Sequence, residues 1–213
     1  MADAAPSYAV ELRPVLEDLV VSMSVPSAVV LVRSSTFGDA TFEFGSPLLG
    51  GDDPPTTTDH YRIGSLTKTM TATVILQLAQ EGKLSLDDPI SKYRPEVPNG
   101  DAITIAQLLD MRSGLYGYDL DPVFLRAVDA DPKRTWSPDD LLAIGYSKPA
   151  LFAPGTAYDY SNTTYVLLGL VMEQVTGKTA SELFTERLFD PLDLEDTTLP
   201  ALDDASIPIQ HRG

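Results

Sequence analysis

Ser65 and Lys68 stand three residues apart in YRIGSLTKTMTATVILQLAQEG, at the head of an apolar run of helical length. Residues i and i+3 share one helix face, so the serine hydroxyl and the lysine amine fall within hydrogen-bond reach. An ammonium at the start of a helix opposes the helix dipole, and one stripped of water gives up its proton more readily. The free amine can then accept the serine proton. The unpaired backbone N–H groups of the helix start face the oxyanion that forms when the serine attacks a carbonyl. The spacing thus describes an activated nucleophile. The plainer alternative is a solvated lysine whose stem covers apolar surface, with S-x-x-K a chance triplet.

Tyr160 and Asn162 form a second candidate group in FAPGTAYDYSNTTYVLLG, just ahead of another apolar run. A tyrosine beside a lysine ammonium has its pKa lowered. As phenolate, or as a relay through the lysine, it takes the serine proton and returns it to the leaving group. Asn162 offers amide hydrogens to a substrate carbonyl. Taken alone, the pair reads as a packed ring and a helix-capping asparagine. Taken with S-x-x-K, it reads as the other half of an acyl-transfer site.

The elements that must hold these residues follow from periodicity. Residues 8–23 predict a helix with Val10, Leu12, Val15, Leu16 and Leu19 inward and Glu11, Arg13, Glu17 and Asp18 outward. PSAVVLVRSS and TFEFGS predict two strands joined at Gly38-Asp39, and LLGGDDPPTTTD predicts a loop. The run after Lys68 is apolar on most sides, which predicts a buried helix stopped by a left-handed Gly82, with Lys83 at the negative end of the dipole. Asp87-Asp88-Pro89 predicts a turn, and Thr104 an N-cap for IAQLLDM, ending at Gly114. Ser137 with Pro138 predicts another helix start, NTTYVLLGLVMEQVTG a helix stopped at Gly177, and Thr179 with Glu182 a capping box.

Composition limits the function classes. A formal charge of −16 over 213 residues makes nucleic acid and anionic membrane poor partners, because phosphate binding needs clustered Lys and Arg. There is no cysteine and there are two distant histidines, so neither disulfides nor a metal site is expected, and no cofactor is called for. No apolar span of membrane length occurs. The start, MADAAPSYAV, is not an intact signal peptide; a soluble protein is expected, or an exported one after signal removal. The expected partner is a small-molecule or peptide substrate.

Residues 60–114 and 150–198 resemble the serine β-lactamase and penicillin-binding-protein superfamily. The likeness lies in YRIGSLTKTMTATVILQLAQEGKLSLDDPISKY, LLDMRSGLYGY, PGTAYDYSNTTYVLLGLVMEQVTGKT and LFDPLDLEDTT. It points to the class C branch, and RSGLYGY and YSNTTYVLLG are most similar to its D-alanyl-D-alanine carboxypeptidases. The resemblance implies an α+β fold, a helical lobe beside an antiparallel sheet, and a serine hydrolase acting on D-alanyl peptides, β-lactams or esters. Ser65 would be the nucleophile, Lys68 its proton partner, Tyr160 the general acid/base and Asn162 a substrate-binding residue. The serine proton is assigned to Lys68 and Tyr160 jointly.

The resemblance also requires a third motif, K-T-G or H-x-G, on a strand beside the nucleophile. HRG at 211–213 matches in letters, but it follows LDDASIPIQ, which does not alternate as a strand does, so a loop is expected there. The chain accordingly reads as one β-lactamase-like domain over 1–213 that lacks the later strands and the C-terminal helix. Residues 1–59 hold the first helix and strands, and 60–213 form a helical lobe with both motifs. An unpaired sheet edge would leave such a chain marginally stable or self-associating. Two other function classes stay open: a catalytically inactive binding module, and a fragment that works only with a complementary C-terminal half.

Overall fold

The computed structural model describes residues 6–48, 50–201 and 204, and divides the chain into two compact units, the residues up to Tyr61 and Arg62–Ser206. The motif at 211–213 lies outside the described residues.

In the first unit, helix α1 (Ser7–Ser22) precedes an antiparallel hairpin of β1 (Ser27–Val32) and β2 (Ala40–Gly45). The register runs from Ser27 opposite Gly45 to Val32 opposite Ala40. Alternation along β2 buries Ala40, Phe42 and Phe44 on one face. The helix stripe on this cluster is Tyr8, Ala9, Leu12, Leu16 and Val20. Here the structure corrects the sequence reading: Leu12 and Leu16 face in, but Val10, Val15 and Leu19 are exposed. The residues at 9, 12, 16 and 20 fall on a single face, and it is that face that meets the aromatic strand. Arg13 is exposed as expected, and its guanidinium also lies over the Phe42 and Phe44 rings, at 5.6 and 5.4 Å from their centroids.

In the second unit, α2 (Thr67–Gln80) packs against α6 (Asn162–Thr176). Val74, Ile75 and Leu78 of α2 share a core with Leu167, Leu168, Val171 and Met172 of α6, and all seven are buried. Smaller helices complete the unit: α3 (Ile105–Leu109), α4 (Pro122–Ala130), α5 (Pro138–Tyr146) and α7 (Ala180–Phe184). The expected caps form. Thr104, Ser137 and Thr179 each close a capping box, with Gln107, Asp140 and Glu182. Gly82 and Gly177 adopt the left-handed conformation that stops α2 and α6.

Two expectations change. The helix begun at Thr104 ends at Leu109 and not at Gly114, because Met111 turns left-handed (φ 60°) and the Arg112 N–H returns to the Gln107 carbonyl at 2.8 Å. Helix α4 was not foreseen, although its start is written in the chain: Asp121 accepts the Val123 and Phe124 N–H groups, and Pro122 takes the first position, where its missing N–H costs nothing.

Candidate active site

Ser65 lies on a 3₁₀ turn (Gly64–Leu66) that runs directly into α2, and Lys68 is the second residue of that helix. The turn is entered through Gly64 at φ 53°, a conformation that suits glycine. Tyr160 stands two residues before α6, and Asn162 is its first residue. The packing of α2 on α6 therefore brings two helix starts together, with all four sequence-predicted residues between them.

Lys68 Nζ donates to Ser65 Oγ at 3.1 Å and to Asn162 Oδ1 at 2.5 Å. Tyr160 Oη donates to the same Ser65 Oγ at 2.7 Å. The ammonium also lies over the Tyr160 ring, 4.8 Å from its centroid, and 5.8 Å from that of Tyr165. Lys68 is half-buried and so only partly stripped of water; Ser65 is exposed and Tyr160 is 43% exposed, so the nucleophile and phenol open to solvent. Asn162 is not the helix cap, a position held by Ser161, and its side-chain carbonyl oxygen is taken by the lysine.

The Tyr160 phenol titrates below its ordinary range. The Lys68 ammonium beside it is the main cause and the bond to Ser65 the next, opposed by partial burial and by the charge of Asp119. Two helix N-termini add a field that favours negative charge here. Tyr118 is pushed the other way, by burial first and then by Asp119 and Tyr160. In chemical terms, Ser65 Oγ is flanked by two proton carriers. Once the phenol or the ammonium has lost its own proton, its bond to Ser65 can reverse so that the hydroxyl donates, and a proton can leave the serine without crossing solvent.

Asp119, on the 3₁₀ turn Tyr118–Leu120, and Thr163, beside Asn162, were not singled out from sequence. The charge of Asp119 raises the Tyr160 phenol slightly, and Thr163 bonds the segment leading into that turn. A polar residue next to a candidate ligand-binding asparagine, at the head of an apolar helix, was the available signal for Thr163. Among the described residues, no group of His, Asp or Glu side chains could hold a metal ion, and no helix is long and apolar enough to cross a membrane.

The sequence profile described as Beta-lactamase matches residues 19–212. Protein flp of Staphylococcus aureus (strain MW2) is 36% identical over 146 residues, covering 66% of this chain and 28% of the relative. A D-stereospecific amidohydrolase from Streptomyces sp. superposes with a TM-score of 0.76 at 36% identity, over 89% of this chain and 57% of that structure. The penicillin binding protein from Bacillus halodurans gives 0.72 at 26% identity, over 91% and 59%. The chain thus spans little more than half of these structures and under a third of the S. aureus relative.

Proposed function

From the premise that the chain belongs to the Beta-lactamase family, a superfamily of serine hydrolases with an α+β fold, we propose that it forms an acyl-enzyme on Ser65. The observation that supports this best is the placement of Ser65 Oγ between Lys68 Nζ at 3.1 Å and Tyr160 Oη at 2.7 Å. In the first step Ser65 Oγ attacks an acyl carbonyl carbon, and its proton passes to the Tyr160–Lys68 pair, which accepts it in the form that has already lost one proton, phenolate with ammonium or phenol with free amine. The carbonyl oxygen becomes an oxyanion facing the N–H groups of the helix start. Collapse expels the amine or alcohol, which takes the stored proton, and leaves the ester on Ser65. Water then repeats the sequence, with the same pair as base and then acid. Asn162 NH₂ is proposed to hold the substrate's amide carbonyl.

The substrates proposed are D-alanyl peptides, β-lactams or esters, as in the class C branch with its D-alanyl-D-alanine carboxypeptidases; all pass through one kind of tetrahedral oxyanion. A second reading is favoured by Asp119, whose carboxylate acts on Tyr160 and would attract a free α-ammonium. It makes the substrate a D-amino acid amide, in keeping with the D-stereospecific amidohydrolase that the chain resembles.

The test is mass spectrometry after exposure to a fluorophosphonate and to a fluorescent penicillin. The peptide bearing Ser65 should gain the adduct, and Ser65→Ala should abolish it. An adduct on another residue, or none on the folded protein, would sink the acyl-enzyme reading. Turnover of D-alanine amide against an N-acylated D-alanyl-D-alanine then separates the two substrate readings.

A further inference from the structure

Thr163 is fully buried at the start of α6, and its hydroxyl bonds outside its own helix. It donates to the Tyr116 carbonyl at 2.7 Å and accepts the Tyr118 N–H at 3.0 Å. A helical threonine ordinarily bonds back to a carbonyl on the preceding turn. Its neighbour Thr164 does so, donating to the Ser161 carbonyl at 2.8 Å, and Thr176 does the same with Met172 at 2.7 Å. Thr163 instead spans 45 to 47 residues of sequence and joins two elements.

A third element closes the same point. A Cβ on Gly145 of α5 would sit 2.9 Å from both Thr163 Oγ1 and Cγ2, and 3.1 Å from the Tyr116 carbonyl oxygen. The space around this hydroxyl is therefore filled. On one side of Thr163 is Asn162, whose Oδ1 takes the Lys68 ammonium. On the other is the segment that becomes the Tyr118–Leu120 turn with Asp119. The far side of that turn is braced by aromatic contacts, Tyr118 edge-on to Phe124 at 5.2 Å and Phe124 against Trp136 at 5.0 Å.

We infer that Thr163 is a positioning residue for substrate recognition: its hydroxyl holds the Tyr118–Leu120 turn, and with it the Asp119 carboxylate, in register with Asn162 and Ser65. This rests on the reading of the site as one that binds an ammonium-bearing D-amino acid amide. Thr163 touches no reacting atom. Its effect runs through the turn, so it should govern affinity and reach Ser65 only through the pH at which the Tyr160–Lys68 pair ionises.

The test uses the full chain with Thr163→Val, which keeps the shape and removes the hydroxyl, and Thr163→Ser, which keeps the hydroxyl. Binding of D-alanine amide is titrated in a Ser65→Ala background, where no turnover intervenes. Fluorophosphonate labelling of Ser65 is timed in the otherwise unsubstituted protein. Thr163→Val should weaken amide binding by about tenfold, the range expected when a buried donor and acceptor lose their partner. It should not slow labelling, since loosening Asp119 only lets the Tyr160 phenol ionise more readily, and Thr163→Ser should restore the affinity. Hydrogen exchange across residues 116–120 should quicken with Val and not with Ser.

Unchanged binding with Thr163→Val would overturn the inference, as would equal loss of binding and labelling, or failure of serine to rescue. If valine prevents folding, Thr163→Ala gives the same comparison without added bulk. Absence of amide binding in the Ser65→Ala protein would also overturn it, while labelling at Ser65 would leave the hydrolase reading standing. Loss of labelling in the unsubstituted protein would remove that reading, with the binding titration still judging Thr163.

Discussion

Tyr160→Phe removes one oxygen from the site and little else. Tyr160 Oη lies 2.7 Å from Ser65 Oγ, and the ring is 43% exposed, so its loss leaves no buried group without a partner. The cost to folding should stay at or below the roughly 1 kcal/mol of an ordinary hydrogen bond. The cost to chemistry is much larger if the phenol carries the proton. A positioned acid/base group contributes about 10²–10⁴-fold, equivalent to about 3–5 kcal/mol of barrier. The assay is the pseudo-first-order rate of fluorophosphonate labelling at Ser65, measured beside a thermal melt. The rate should fall by at least about a hundredfold with the melting temperature nearly unchanged. Lys68 remains 3.1 Å from Ser65 in the variant, so the residual rate measures what the amine does alone. A labelling rate within about tenfold of the unsubstituted protein would refute the assignment, because a loss under about 1.4 kcal/mol is no more than a lost hydrogen bond supplies.

Asp119→Asn should shift the pH dependence of the same labelling reaction. The charge of Asp119 raises the Tyr160 phenol against the lowering by Lys68, so its removal lets the phenol ionise at lower pH. The alkaline rise in rate, an apparent value of the Tyr160–Lys68 pair, should move toward neutral pH; a profile that stays put or moves up would show that the turn does not act on the pair. Leu168→Ala removes three of the four side-chain carbons of a fully buried residue in the α2–α6 core. It should cost about 2–5 kcal/mol in denaturant unfolding, and a loss under about 1 kcal/mol would mean that the core collapses around the gap.

What could be read from the chain was local. The S-x-x-K spacing, the capping boxes at Thr104, Ser137 and Thr179, and the glycine stops at 82 and 177 each depend on neighbours within a few residues. The inward face of α1 could not be chosen that way, since Val10, Val15 and Leu19 are as apolar as Leu12 and Leu16. The choice was made by Phe42 and Phe44, which lie on a strand separated from the helix by a turn and another strand. The early end of α3 has a similar origin. Gly155 donates to the Arg112 carbonyl at 2.8 Å and Asp159 to the Met111 carbonyl at 3.1 Å, and both partners lie over forty residues further on. Asp119 is set apart only by what folding places beside it, and Thr163 mainly so, since its partners Tyr116 and Tyr118 lie 45 to 47 residues away.

Both candidate motifs sit at the start of a helix whose body is buried, and that arrangement assigns different work to polar and apolar residues. Ser65 and Lys68 ride on the entry to α2, and Tyr160 and Asn162 on the entry to α6, so each pair is fixed internally by local backbone. What remains to be set is the position of one helix against the other. That is decided below the site by Val74, Ile75 and Leu78 against Leu167, Leu168 and Val171, all without measurable exposure. Close-packed side chains of this kind do not slide, whereas the polar contacts above them are few and open to water. The 2.7 Å approach of Tyr160 to Ser65 is thus a consequence of apolar packing, and the polar atoms are left free to exchange partners as a proton moves. A site held together by its own hydrogen bonds would have to break its support in order to react. Here the support is hydrophobic, and the reacting groups can change protonation state while the two helices stay where they are.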